Sequence, residues 1–330
     1  MKVCIYGAGA IGGWLGVKLA QGGCALSAVA RGATLDAIRA HGLRLDISGQ
    51  TLSAPAQASE RAAELGVQDL VIVAVKAPAM RGVAEGMAPL LGPDTLVLTA
   101  MNGVPWWFFE GFGGRWAGTR LEATDPDGAI TRAIPTRHVI GGVVHASCSL
   151  AGPGHARHHF GNGLIIGEPW GAPTPRLELL GRQLRAAGID VTLSPQIQKD
   201  IWFKLWGNMT MNPVSAFTGA TADRILDDDL ARGFLTRVMT EAAEIGARIG
   251  LPIATPPEER HVLTRKLGAF KTSMLQDVEA GRPVELDALV GAVREIGQAV
   301  AVPTPFTDAL LGLTRVFARG RGLYPQAGGV

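Results

Sequence analysis

Residues 2–23 read KVCIYGAGAIGGWLGVKLAQGG, and their order predicts a strand, a glycine turn and a helix. Residues 2–6 form a short apolar run. Glycines 7, 9 and 12 follow, then an amphipathic stretch to about Gln21 that Gly22-Gly23 ends. Residues 25–30 read as a second strand, which completes a βαβ unit. In such a unit the first glycine permits the tight turn. The second lets the backbone approach a pyrophosphate, and the third lets the helix pack on the sheet. The anion rests at the helix N-terminus, where unpaired N–H groups and the dipole attract it. A GxGxxG alone is a common turn. Its place between a first strand and a helix that leads to another strand marks a dinucleotide site over Gly7, Ala8, Gly9, Ala10, Ile11 and Gly12.

Outward from this unit, residues 43–47 and 51–56 alternate as a hairpin or edge strands would. Residues 70–75 and 95–99 read as strands, the latter ending at Met101-Asn102-Gly103. Strands alternating with helices predict a parallel, doubly wound sheet. Residues 104–137 are rich in Gly, Trp, Phe, Asp and Pro and read as an elaborated loop with one short hairpin. Strand patterns return at 139–144, 155–160 and 164–167, a helix at 176–187 and a last strand at 189–193. After Ser194-Pro195 the periodicity is helical, over 200–211, 222–249, 271–280, 284–300 and 305–318. Gly250, Gly281 and prolines 252, 256, 257, 283 and 303 punctuate it. The expected fold is α/β: an N-terminal Rossmann-type doubly wound sheet over residues 1–195 and an all-helical C-terminal domain over 196–330. Residues 326–330 are expected to fray.

Composition narrows the class. Of 330 residues, 47% are hydrophobic and 18% charged, which argues against disorder and suits two cores. Lys+Arg (31) and Asp+Glu (29) nearly balance, without a basic stripe or acidic tail, so neither nucleic acid nor a membrane surface is an expected partner. The start has no long apolar h-region, and no run of about 18 apolar residues occurs; the expected location is the cytoplasm. Cys4, Cys24 and Cys148 lie far apart, without a CxxC or a neighbouring base, and read as reduced thiols. His155, His158 and His159 have no cysteine or carboxylate cluster beside them, so no metal is expected.

Two further groups bear on chemistry. The second strand ends at Ala30-Arg31-Gly32. An acidic residue there would bond the ribose 2′-OH of NAD, whereas Arg31 offers a fixed cation for a 2′-phosphate; a solvated surface arginine is the alternative. Lys76 follows the buried strand and adds a second cation, or is an ordinary exposed lysine. In the second domain, Lys204, Asn208 and Asn212 recur at i, i+4 and i+8 and share one face of an otherwise aromatic and apolar helix. An ammonium and two amides there need polar partners, which a substrate carboxylate and carbonyl would supply, or they are capping amides beside a structural lysine. Ser273 and Asp277 precede Gly281-Arg282-Pro283-Val284-Glu285-Leu286-Asp287. Pro283 can start a helix with Glu285 and Asp287 in its first turn, where carboxylates are favoured in any case.

Together, GAGAIGG at 7–13, Lys76, Asn102-Gly103, the WxK…N…NP pattern at 202–213 and the SM…D…GR…E.D pattern at 273–287 resemble the ketopantoate reductase (2-dehydropantoate 2-reductase) family over nearly the whole chain. The resemblance implies an NADP-dependent enzyme of pantothenate biosynthesis that reduces a 2-oxo acid. It makes Lys204 the proton donor and Glu285 a substrate-binding residue that positions the active site. Asn208 and Ser273 resemble substrate-binding residues, Asn212 matches the motif, and Asn102 resembles the asparagine that lies between cofactor and substrate. Arg31 and Lys76 match the positions that hold the 2′-phosphate. The expected partner is a small 2-oxo acid, with a homodimer left open as the assembly.

One departure from the family pattern is Trp106-Trp107-Phe108-Phe109, three residues after Gly103. These rings would line a pocket for a substrate bulkier than ketopantoate, cover it as a lid, or pack the insertion on the sheet. Two other functions remain open from sequence: a nucleotide-binding regulator without chemistry, and a dehydrogenase for an opine or a 3-hydroxy acid.

Overall fold

The computed structural model describes residues 1–326; the rest of the stretch expected to fray lies outside the described residues, while Gln326 donates to the Arg319 carbonyl at 3.2 Å. The chain forms two compact units: residues 1–101, 106–120 and 127–200, and residues 102–105, 121–126 and 201–330.

The first unit is built on one mixed sheet of ten strands. They are β1 (Lys2–Tyr6), β2 (Ala25–Val29), β3 (Leu43–Ile47), β4 (Gln50–Ala54), β5 (Ala56–Ser59), β6 (Leu70–Val73), β7 (Leu96–Thr99), β8 (Val139–Gly152), β9 (His155–Gly167) and β10 (Asp190–Leu193). Their order is β4-β3-β9-β8-β7-β6-β1-β2-β5, with β10 beside β9. From β8 to β5 every pairing is parallel. That half is the expected doubly wound sheet, and Leu70–Val73, with no exposed surface, is the continuous apolar strand that such a position needs. The other half is mixed: the long β8–β9 hairpin and the β3–β4 hairpin are antiparallel, while β3 and β10 each pair with β9 in parallel. Helices α1 (Ala10–Gln21), α2 (Gly32–His41), α3 (Met80–Met87), α4 (Ala129–Ala133) and α5 (Pro175–Ala186) complete the unit. The contact of α1 with the sheet is close: a Cβ on Gly16 would lie 3.0 Å from both Ile5 and Leu43.

The second unit is helical: α6 (Ile197–Thr218), α7 (Ala222–Asp227), α8 (Asp229–Arg248), α9 (Pro257–Arg265), α10 (Ser273–Glu279), a π-helical turn at Asp287–Gly291 that continues as α11 (Ala292–Ala299), and α12 (Pro305–Gly320). Four expectations need correction. Residues 104–137 contain 3₁₀ turns and α4 in place of a hairpin. The helix expected over 222–249 breaks at Asp228, whose side chain accepts the Ala231 N–H at 2.8 Å and starts a new helix. The segment after Pro257 is helical, because proline at the first helical position loses no bond. Helix α11 and its π turn begin after Glu285, not at Pro283; before them the Val284 N–H donates to the Leu323 carbonyl at 3.1 Å.

Candidate functional site

In the first unit, the glycine turn joins β1 to α1. Gly7 has φ +103°, and a Cβ there would lie 2.9 Å from the Ala74 backbone; a Cβ on Gly12 would collide with the Gly7 carbonyl. Protein packing therefore explains both. It does not explain Gly9, which has φ −84° and open space around its would-be Cβ. A residue free to carry a side chain but lacking one leaves room for something outside the protein. It does so at the start of a helix, where N–H groups await an anion. This fits a dinucleotide pyrophosphate.

Arg31 is exposed at the end of β2, in the cap position of α2, and Lys76 is half-buried just past β6, capping a 3₁₀ turn. Burial pushes the Tyr6 phenol up while the Arg31 charge opposes it, so the guanidinium acts at the mouth of β1. Sequence reasoning missed Glu60. It follows β5, which pairs with β2, and its Oε1 accepts the Gly32 N–H at 3.4 Å. A carboxylate thus accepts the N–H of the residue that follows Arg31.

The second unit holds the other candidates. On α6, Trp202 and Trp206 are buried, and Trp206 Nε1 donates to the Met239 carbonyl of α8 at 2.7 Å. At 100° per residue these rings lie opposite Lys204, so the face that packs on α8 turns the Lys204–Asn208–Asn212 face away from it. Lys204 is half-buried. Burial brings its ammonium down to about 8, against the pull of the Glu285 carboxylate, which raises it. Glu285 is itself 5% exposed. Among the described residues the side chains of Asn102, Asn208, Asn212 and Ser273 make no hydrogen bond, although Asn212 is buried. Ser273 opens α10, whose cap is Thr272, accepting the Leu275 N–H at 3.2 Å.

Asn102 reaches this unit by a specific device. Gly103 has φ +85° and lies so close to the π turn that a Cβ would sit 2.6 Å from the Ala288 carbonyl, and the Val104 N–H donates to that carbonyl at 2.8 Å. Only glycine permits that approach, and π turns often mark functional sites. A second returning segment is tied down by Glu295, which accepts the Glu122 and Ala123 N–H groups at 2.8 and 2.9 Å. The second unit thus gathers an amine near neutrality, a buried carboxylate and unpaired amides. That set can bind a carboxylate beside a carbonyl and deliver a proton.

The aromatic run does not join this set. Trp106, Trp107, Phe108 and Phe109 are buried within the first unit. Phe109 meets Phe108 and Phe112 edge-on, each at 5.0 Å. A Cβ on Gly141 of β8 would touch the Trp107 ring at 2.5 Å, so the sheet makes room for the indole. Of the three expected roles, the burial of these rings favours packing of the insertion on the sheet over a lid or a pocket wall.

A family model described as Ketopantoate reductase PanE/ApbA matches residues 3–105, and one described as its C terminal part matches residues 196–318. A 2-dehydropantoate 2-reductase of Mesorhizobium japonicum (strain LMG 29417 / CECT 9101 / MAFF 303099) is 46% identical, over 98% of this chain and 100% of its own. A solved protein of Ralstonia solanacearum MolK2, provisionally described as a ketopantoate reductase, is 58% identical with TM-score 0.94, over 98% of this chain and 99% of its own. A PanE/ApbA family ketopantoate reductase from Ralstonia eutropha JMP134 is 28% identical with TM-score 0.84, over 98% of this chain and 100% of its own.

Proposed function

The chain belongs to the ketopantoate reductase family, and on that premise we propose that it is an NADPH-dependent oxidoreductase that reduces 2-dehydropantoate to pantoate. The observation that carries the reading is Lys204: a half-buried amine brought to about 8, opposed by Glu285, on one helix face with two unpaired amides. On this reading residues 1–195 hold the dinucleotide, at Gly7–Gly12, Arg31 and Lys76, and residues 196–330 hold the substrate.

When bound, the nicotinamide supplies the hydride. The protein's own residues do the rest. Asn208, Asn212 and Ser273 offer hydrogen bonds to the 2-oxo acid, and Asn102 lies beside the reacting end. Lys204 in its ammonium form polarises the carbonyl, then gives its proton to the alkoxide oxygen as charge develops there. Glu285 keeps that ammonium charged at neutral pH and accepts a bond from the substrate hydroxyl. The Arg31 cation favours the 2′-phosphate, and so NADPH over NADH. The idea of a bulkier natural substrate rested on the aromatic run, and the burial of that run removes its support.

The test uses purified protein with NADPH and a panel of 2-oxo acids that includes ketopantoate. The expected result is highest kcat/KM with ketopantoate and a loss of about 10²–10⁴-fold in turnover for Lys204→Ala, with NADPH binding kept. NADPH binding without turnover of any 2-oxo acid would identify a regulator instead. Turnover of opines or 3-hydroxy acids in place of 2-oxo acids would identify another dehydrogenase.

A further inference from the structure

The segment that carries Glu285 is held on both sides by the chain that follows α12. Ahead of Glu285, the Val284 N–H donates to the Leu323 carbonyl at 3.1 Å. Beyond it, the Tyr324 hydroxyl donates to Asp287 Oδ1 at 2.5 Å. This strap is itself anchored. The Leu323 N–H bonds the Ala318 carbonyl at 2.8 Å, and the Leu323 side chain is buried. The Arg319 guanidinium lies over the Tyr324 ring at 5.5 Å and donates to the Pro325 carbonyl at 2.9 Å.

Glu285 needs such support. It sits at the entry to the π turn, and its carbonyl accepts the Leu289 N–H at 3.3 Å. The bonds at 284 and 287 hold the backbone on either side of Glu285, and with it the place from which its carboxylate reaches. We propose that Tyr324 is a positioning residue, which through Asp287 fixes the turn that presents Glu285 to Lys204. The proposal rests on the reading of Lys204 and Glu285 as the working pair. Asp287, Arg315 and Arg319 act on Tyr324, and Glu285 acts on Lys204. Burial and the bond to Asp287 push the Tyr324 phenol up to about 12, so the hydroxyl stays a donor throughout the working range. Losing the hydroxyl frees the turn. The carboxylate then moves relative to the ammonium, and their interaction changes with distance.

Lys204 is the gauge for this movement, and it can be read without cofactor or turnover. The full chain is acylated with an amine-reactive reagent across pH, and the labelling of Lys204 is followed by peptide mass spectrometry. Wild type should show a midpoint near 8. Glu285→Gln should lower it by about one unit, and Tyr324→Phe by about half a unit. Tyr324→Phe should also raise KM for the 2-oxo acid several-fold, leaving NADPH affinity unchanged and Tm within a few degrees. Asp287→Ala should reproduce the shift, and adding Tyr324→Phe to it should shift the midpoint no further. A Tyr324→Phe protein that matches wild type in midpoint and KM, while Glu285→Gln shifts, overturns the positioning role alone; so does full additivity with Asp287→Ala. No shift in Glu285→Gln overturns the Lys204–Glu285 reading and this proposal with it.

Discussion

Replacing Glu285 by glutamine removes a charge while keeping the size of the side chain. Lys204 is brought from 10.5 to about 8 by burial, with Glu285 opposing. That net shift corresponds to about 3 kcal/mol in favour of the neutral amine, at about 1.4 kcal/mol per unit. An opposite charge a few ångströms away is worth about one unit or more, so the glutamine variant should bring Lys204 to about 7 or lower. The acid must be protonated to act, so kcat/KM should fall as pH rises through these values. At pH 6 both proteins are almost fully protonated, and any difference there reports lost substrate contact. At pH 7.5 the protonated fraction drops from about three-quarters to about one-quarter, a further loss of about threefold, and at pH 8.5 the factor reaches about eightfold. The assay is NADPH oxidation with ketopantoate at low substrate, which reports the free enzyme. The same alkaline limb in both proteins would refute the coupling. A wild-type profile flat to pH 9.5 would refute Lys204 as the acid.

Four further outcomes follow from the geometry. The folded value of Lys204 lies below its unfolded one, so between about 8 and 10.5 the unfolded chain binds more protons and this group makes stability rise with pH; comparing Tm against pH for wild type and Lys204→Met should show that slope lost. Gly9→Val should keep wild-type Tm, since its Cβ meets open space, yet weaken NADPH binding by tenfold or more in a fluorescence titration, whereas Gly12→Val should fail to fold. Arg31→Ala should cost NADPH about 1.5–3 kcal/mol of binding and NADH little, and Glu60→Gln should tighten NADPH alone by a few fold; equal effects on both cofactors would exclude a 2′-phosphate role. Trp107→Ala should cost about 3–5 kcal/mol of stability by urea unfolding and leave the order of substrate preference as it was.

Much of this was legible because period and chemistry coincided. The i, i+4, i+8 spacing of Lys204, Asn208 and Asn212 displayed one polar face, and Trp202 and Trp206 marked the opposite, packed one. What escaped the sequence had weaker local signals. Strand β5, AQAS, has no apolar run, so Glu60 and its place beside Arg31 were invisible. The run Asp227-Asp228-Asp229 carried the cap that splits α7 from α8, but unbroken helical periodicity around it hid the break. The prolines at 256 and 257 suggested a loop, although proline at a helix start is a good beginning. The aromatic run could not be placed without Gly141, a partner 34 positions away that only the folded sheet brings to Trp107. Burial lowering Lys204 could be anticipated from its helix face, but not the carboxylate 81 residues further along that opposes it.

The path of the chain has a consequence for heredity. It changes unit after residues 101, 105, 120, 126 and 200. The Val104 N–H depends on Ala288, and those of Glu122 and Ala123 depend on Glu295. A gene cut at codon 195 would therefore yield a front piece whose two excursions have lost their acceptors. The back piece would lack the Gly103-Val104 segment that closes over its π turn. A single crossover between relatives would join each excursion from one parent to an acceptor from the other, so Gly103 and Glu295 are the residues on which a working hybrid depends.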